Sequence, residues 1–156
     1  PAIVQEVEAA RRHHTATGTC LFCELVAQER AAGVRVVAEM AGHVALAPYA
    51  SRTPFETWLL PQHHRARFDE ATADDLAGLA ALLRHVLGHM GRELERPAFN
   101  AVLHSAPFDE TGDDAYHWHL ELVPRVLRAT GLDVAAGLPI NPVPPEKAAR
   151  VLGGGG

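Results

Sequence analysis

The chain has 156 residues, 47% of them hydrophobic, and its 19 Asp and Glu against 14 Lys and Arg leave a net charge of −5 with the ten histidines neutral. That size buries one ordinary core, so a single globular domain is expected, and neither the acidic balance nor any Lys/Arg block suits a nucleic-acid backbone. Apolar runs stop short of the roughly 20 residues that a membrane-spanning helix needs, and the N-terminus lacks a signal peptide's layout, so the expectation is a soluble cytoplasmic protein with no membrane partner.

Residues 2–14 set Ile3, Val4 and Val7 among charged neighbours in a loosely helical pattern, broken at Thr15 to Thr19. CLFCELVAQERAAG (20–33) then reads as a short helix, opened by the CxxC and stopped by Gly33 at the left-handed C-terminal position. VRVVAEM (34–40) and HVALAPY (43–49), joined by Ala41-Gly42, read as a hairpin. PFETWLLP (54–61) is a third strand, bounded by prolines that cannot donate to a central ladder. Over 72–94, Leu76, Leu79, Ala80, Leu83, Val86, Leu87 and Met90 recur at spacings of three and four, giving the longest helix, and Thr72 with Asp75 forms its N-terminal cap. FNAVLHSA (99–106) and AYHWHLELVP (115–124) read as strands flanking the polar loop PFDETGDD, and PPEKAARVL as a closing short helix begun by prolines. Together these predict an α+β domain: a mostly antiparallel sheet of about five strands with one long and two to three short helices.

In the last strand, alternation sets His117, His119 and Glu121 on one face and Tyr116, Trp118, Leu120 and Leu122 on the other. Two imidazoles about 7 Å apart along a strand can share a metal, or serve a metal and a substrate separately; the bland alternative is surface histidines beside a buried Trp118. Both cysteines, Cys20 and Cys23, lie in the CxxC, which is a redox pair, half a zinc site or two buried thiols, and the polar, Thr-rich segment before it favours metal over redox. Thiolates and imidazoles in fours suit tetrahedral zinc, with His63, His64, His104, His117 and His119 available as partners to the cysteines. His119 is alternatively a nucleophile toward phosphorus, with Glu121 orienting a ring, accepting a proton or binding metal. His13, His14, His85 and His89 fall in helical stretches and read as solvated, and His43 as incidental.

CLFCELVAQE, FETWLLPQHH, HSAPF and YHWHLELVPR, in that order around a hairpin and a long helix, resemble the histidine-triad superfamily. The similarity is greatest to the carboxy-terminal half of bacterial-type galactose-1-phosphate uridylyltransferases and runs from about Cys20 to Leu152. It implies a histidine-triad-like domain over 20–152, to which the residue pattern adds a helical lead-in over 1–19 and the composition a flexible glycine tail over 153–156. It also implies a zinc site of Cys20, Cys23, His64 (from a P-x-x-H pattern) and His117, with His119 in the nucleophile's place. Phe22 would lie near the base, and His104 and Ser105 would be substrate contacts. A rival metal site, with iron as the second choice, would use His104, His117 and His119 with a glutamate from the other half. Two departures qualify the resemblance. The HPHxQ segment that carries the transferase nucleophile is absent, and Glu121 stands where its Gln would be, so that a carboxylate faces a phosphoryl oxygen. Asp133 likewise occupies a position where some members have a basic sugar-phosphate contact. The implied function is the carboxy-terminal half of a uridylyltransferase-type nucleotidyltransferase of galactose metabolism. It would hold zinc and complete a UDP-sugar and sugar-phosphate site with an amino-terminal half, in the same or a separate chain, and a homodimer is compatible with this. The alternatives are a stand-alone nucleotide hydrolase or phosphorylase using His119, and a zinc-stabilised, non-catalytic interaction domain.

Overall fold

The structure, a computed structural model, describes residues 2–107, 114–127, 135 and 140–154. Asp133, Phe108, most of the PFDETGDD loop and the last two glycines lie outside the described residues. The chain runs α1 (Ala2–Thr17), α2 (Leu21–Ala32), β1 (Val36–Met40), β2 (His43–Leu46), β3 (Thr57–Pro61), a 3-10 turn (Phe68–Glu70), α3 (Ala73–Glu93), β4 (Phe99–His104), β5 (His119–Pro124) and α4 (Pro145–Leu152). The five strands form one sheet in the order β1-β2-β3-β5-β4, antiparallel at every pairing. An α+β domain on a mostly antiparallel sheet is therefore what the chain forms.

Local chemistry explains the boundaries. Ala41 and Gly42 both have positive φ, 47° and 74°, which matches the twist of a two-residue hairpin turn between β1 and β2. Gly33, at φ 73°, ends α2 by donating its N–H to Glu29 O. α3 opens with a complete capping box: Thr72 Oγ1 accepts from Asp75 N, and the Asp75 carboxylate accepts from Thr72 N.

The sheet separates two cores. On one face α3 lays Leu79, Leu82, Val86 and Met90 on Ala45, Leu59, Trp118 and Leu122, and α4 adds Ala148, Ala149 and Leu152. On the other face α1 and α2 bring Val7, Ala10, Phe22 and Val26 against Val44, Leu46, Leu60 and Tyr116. Each large apolar side chain so enclosed is worth about 1.5–3 kcal/mol of transfer free energy.

Three expectations need correction. α1 continues through Thr17, past the break expected at Thr15, because Thr17 Oγ1 bonds back to His13 O and the helix stops only at Gly18, at φ 75°. The last strand starts at His119 rather than Ala115, because Trp118 N donates to Arg65 O, in the loop after β3, instead of joining the ladder. Alternation therefore fails upstream of His119, and Tyr116 joins the α1/α2 core instead of sharing a face with Trp118. On α3, Leu76 is 44% exposed and Leu82, outside the expected set, is fully buried.

Candidate metal centre and histidine face

The α1/α2 face of the sheet gathers the polar side chains in two adjoining groups. In the first, Cys20 is the extended N-cap residue of α2 and Cys23 lies in its first turn, so the helix start turns both sulfurs toward one point. His64 arrives three residues after β3 ends, and His117 from the extended segment before β5. One ligand atom from each of the four lies within 4.8 Å of those of the others. Cys23 Sγ is 3.4 Å from His64 Nδ1 and 3.4 Å from His117 Nδ1. A tetrahedral ion with S at about 2.3 Å and N at about 2.0–2.1 Å would set S and N roughly 3.5 Å apart, so the spacing fits zinc. The far nitrogen agrees: His117 Nε2 lies 3.0 Å from Pro61 O, and donating there it leaves the Nδ1 lone pair for an ion. The Cys20 thiol is pushed well down by its hydrogen bond from Cys23, and Cys23 is pushed up by the same bond, so the pair shares one thiolate. His63 points elsewhere, with Nε2 3.1 Å from Asp75 Oδ1.

The second group surrounds His119, which is wholly buried. Its Nδ1 donates to His117 O at 3.1 Å, leaving Nε2 without a hydrogen bond and 3.7 Å from Glu6 Oε1. The ring stacks on His104 at 4.4 Å and 15°, with Phe22 at 4.9 Å and Trp58 at 5.1 Å on its other sides. His104 lies between two carboxylates, Nδ1 3.0 Å from Glu6 Oε2 and Nε2 3.2 Å from Glu121 Oε2. Glu121 also accepts from Arg52 Nη2 at 2.6 Å, and Glu6 accepts from the Tyr116 hydroxyl.

These contacts set the charge states. Hydrogen bonds to Glu121 and Glu6 raise His104 to about 9, so it is cationic at neutral pH. The bond from His104, helped by Arg52, holds Glu121 well below the usual carboxylate range. Burial pushes Glu6 upward, but the bonds from His104 and Tyr116 outweigh it and leave the carboxyl lowered. Burial lowers His119 to about 4, so that ring is neutral. Arg52, Glu121, His104 and Glu6 thus alternate in sign along the face, with a neutral imidazole beside them. Glu6, His104 and His119 also bring ligand atoms within 4.8 Å of one another, a second donor set able to hold a cation. His117 faces the cysteines, and the glutamate of this set comes from α1 of the same chain.

Phe22, 3% exposed, meets Tyr116 edge-on at 5.5 Å, and Ser105 Oγ accepts from Phe68 N at 3.1 Å. Glu6, Arg52 and Tyr116 were not foreseen from the sequence. Glu6 had a signal, since it precedes the buried Val7 by one residue and the buried Ala10 by four, on the inward side of α1. Arg52 lies in the segment between β2 and β3, where periodicity is silent. Among the described residues no helix is long and apolar enough to cross a membrane.

Comparison with known proteins bears on this geometry. Residues 6–141 match the model of the galactose-1-phosphate uridyl transferase C-terminal domain. An ADP-glucose phosphorylase of Arabidopsis thaliana is 31% identical over 97% of this chain and 42% of its own length. A galactose-1-phosphate uridylyltransferase of Haemophilus influenzae is 30% identical over 81% of this chain and 37% of its own length. The chain thus spans about two fifths of the relatives it matches. A crystal structure of the Arabidopsis phosphorylase with bound ADP-glucose superimposes with a TM-score of 0.85 at 29% identity, over 98% of this chain and 49% of that one. A zinc-bound histidine triad protein of Mycobacterium smegmatis shares the fold, with a TM-score of 0.57 at 21% identity over 87% of this chain and 91% of its own.

Proposed function

The chain belongs to the family of galactose-1-phosphate uridyl transferase C-terminal domains, and from that membership we propose that it is the carboxy-terminal half of a nucleotidyl-transferring enzyme. In this reading it holds zinc and completes a nucleotide-sugar and sugar-phosphate site, while an amino-terminal half supplies the residue that takes the nucleotidyl group.

One observation carries the division of labour. His119 has the neutral ring and bare Nε2 of a nucleophile, yet it is fully buried, and that nitrogen faces Glu6 with ionised Glu121 on the far side of His104. An approaching phosphoryl oxygen would meet a carboxylate about 4 Å away, which costs about 4 kcal/mol per unit-charge pair at an effective dielectric of 20. Unscreened, that would oppose transfer to His119 by roughly three orders of magnitude, and the cationic His104 beside Glu6 offsets part of it. Glu121 and Glu6 instead keep His104 protonated, and Arg52 neutralises Glu121.

Zinc on Cys20, Cys23, His64 and His117 would be four-coordinate and closed, tying α2, the end of β3 and the histidine segment together without an open position for substrate. Phe22 and Ser105 would then act as walls, Phe22 against His119 and Ser105 on the backbone of Phe68. The edge strand β4 supports an incomplete unit. Phe99, Val102 and Leu103 are each more than 40% exposed, and among the described residues the strand has a neighbour on one side only. An apolar open edge beside the histidine face is where a strand of the missing half would add.

The test is intact-mass analysis of the chain incubated with UDP-glucose or ADP-glucose, alone and with an amino-terminal half carrying an HPHxQ segment. We expect a nucleotidyl adduct only in the mixture, on the added half, discharged by a sugar phosphate or by phosphate. An adduct on His119 of the isolated chain would overturn the division of labour, and no adduct or turnover in either mixture would overturn the transferase reading.

A further inference from the structure

On the far side of the sheet from the histidine face, the outer surface of α3 forms a cavity of about 260 Å³ with the end of β1, lined by Met40, Arg84, His85, Gly88, His89 and Arg92. The lining residues of α3 recur at spacings of three and four, so two guanidinium groups and two imidazoles project from one stripe of one helix. The imidazole rings of His85 and His89 lie 4.5 Å apart. Arg92 folds back along the helix, its Nη1 within 3.6 Å of where a side chain on Gly88 would begin, so the guanidinium rests at the mouth of the cavity.

Among the described residues the two guanidinium charges at this cavity have no close counter-charge. Arg30, Arg35, Arg52, Arg65 and Arg67 each face a carboxylate within 4.0 Å. Arg84 and Arg92 have no such partner among the described residues, in a chain whose overall balance is −5. Glu93 is exposed next to Arg92, and its pull on His89 is the smallest of the influences there. Burial, then Arg92, then His85 lower His89, so the cavity holds neutral imidazole beside cationic guanidinium.

An i, i+4 histidine pair could hold a divalent metal, but two arginines at the same cavity oppose a cation, and no cysteine or carboxylate lines it. The same four groups are all able to donate hydrogen bonds. Guanidinium forks match the oxygens of a tetrahedral dianion, and two imidazole N–H groups can reach the remainder. A carboxylate offers two oxygens to these donors, a phosphate group three or four.

We propose that the α3 cavity is a phosphate-binding site, separate from the histidine face, held by Arg84 and Arg92 with His85 and His89. It takes a phosphate group, supplied as inorganic phosphate or as a phosphomonoester. The inference does not depend on the transferase reading, because the cavity and His119 lie on opposite faces of the sheet.

The experiment is histidine ring NMR on the full chain, with the His85 and His89 signals identified from His85→Gln and His89→Gln, during titration with inorganic phosphate and, separately, glucose 1-phosphate at ionic strength fixed with chloride. Saturable shifts of both signals are expected. The arm with the lower midpoint tells whether the site prefers the free ion or the ester. In the Arg84→Gln/Arg92→Gln double variant the midpoint should rise about tenfold or more, a loss of about 1.4 kcal/mol, while Arg12→Gln, remote on α1, leaves it unchanged. These are surface substitutions, and an unaltered signal set for the other histidines would show the fold intact. Shifts that never saturate, shifts reproduced by chloride alone, or a midpoint unchanged in the double variant would each overturn the proposal.

Discussion

Glu6→Gln tests whether the histidine face is held by charge or only by shape, since glutamine keeps the volume and removes the ionised oxygen. In the parent chain the rise of His104 from 6.5 to about 9 corresponds to about 3 kcal/mol. That is shared between Glu121, the larger contributor, and Glu6. Because the ring is only half-buried, solvent screening reduces the Glu6 share to about 1 kcal/mol. The Tyr116 hydroxyl keeps an acceptor in glutamine, so His104 should fall to near 8 and the fold should lose about 1–2 kcal/mol at neutral pH. The sign follows from linkage. A histidine raised in the folded state adds stability that is fully present below about 6.5 and disappears as pH rises through about 9. The gap between parent and variant should therefore be widest near pH 6 and narrow above pH 9, and it should close again in acid as Glu6 itself takes a proton. Histidine ring NMR against pH, with urea unfolding at pH 6, 7.5 and 9.5, reads both quantities. An unchanged His104 titration, or a gap that widens toward pH 9.5, would refute the reasoning.

The other expectations concern the metal, one close packing contact and one helix cap. The purified chain should carry about one equivalent of zinc by elemental analysis, and Cys23→Ser should lower that content and remove several kcal/mol of stability in denaturant unfolding; metal content unaffected by the substitution would count against the four-ligand site. A side chain at Gly78 would run into Ala41 O and come within 2.8 Å of His43 Nδ1. Gly78→Ala should therefore lower stability by about 2–3 kcal/mol. Gly88→Ala, whose nearest neighbour is 3.6 Å away, should instead raise thermal stability by up to about 1 kcal/mol. Asp75→Asn should cost about 1 kcal/mol at pH 7 through the lost cap. Because the Asp75 carboxyl is lowered chiefly by its bond from Thr72 N, that deficit should vanish in urea melts as pH falls below the ordinary aspartate value near 3.8.

What could be read from the sequence divides along physical lines. α3 and its Thr72/Asp75 cap are local, fixed by spacing within one helix and by two residues three apart, and the structure has both. The type of turn at Ala41-Gly42 is local too. Alternation sets Tyr116 on the wrong face, because it holds only inside a ladder, and the ladder begins at His119 once Trp118 N bonds to the loop at Arg65. Cys20, Cys23, His64 and His117 converge from three separate stretches, which spacing can nominate only through a family pattern. Glu6 depends on how α1 lies against the sheet, a tertiary fact that no window of sequence contains. His43 illustrates the same gap. It read as incidental, yet it is 99% buried beneath Gly78 and beside Trp118, where α3 meets the hairpin.

The two faces of the sheet also explain how the polar side chains of β5 are held in place. Trp118, Leu120 and Leu122 anchor β5 in the α3 core, which fixes His119 and Glu121 on the opposite side whatever happens there. With the backbone so held, the positions of the polar groups on the other face are set by the sheet, and their charge states by one another. Here the tuning is self-contained: Arg52 and His104 bond Glu121, Glu6 stands 3.0 Å from the other His104 nitrogen, and Tyr116 bonds Glu6. Each of these ionised groups has an opposite within 4.0 Å, and the neutral ring of His119 lies beside Glu6 of α1. For this face to bind a phosphoryl group, donors would have to displace or outnumber Glu6 and Glu121. Among the described residues one guanidinium lies there, Arg52, already engaged. In the proposed division of labour, a face so balanced would fix the position of a neighbouring reactive site rather than form one, and the apolar edge of β4 next to His104 would be where that neighbour attaches.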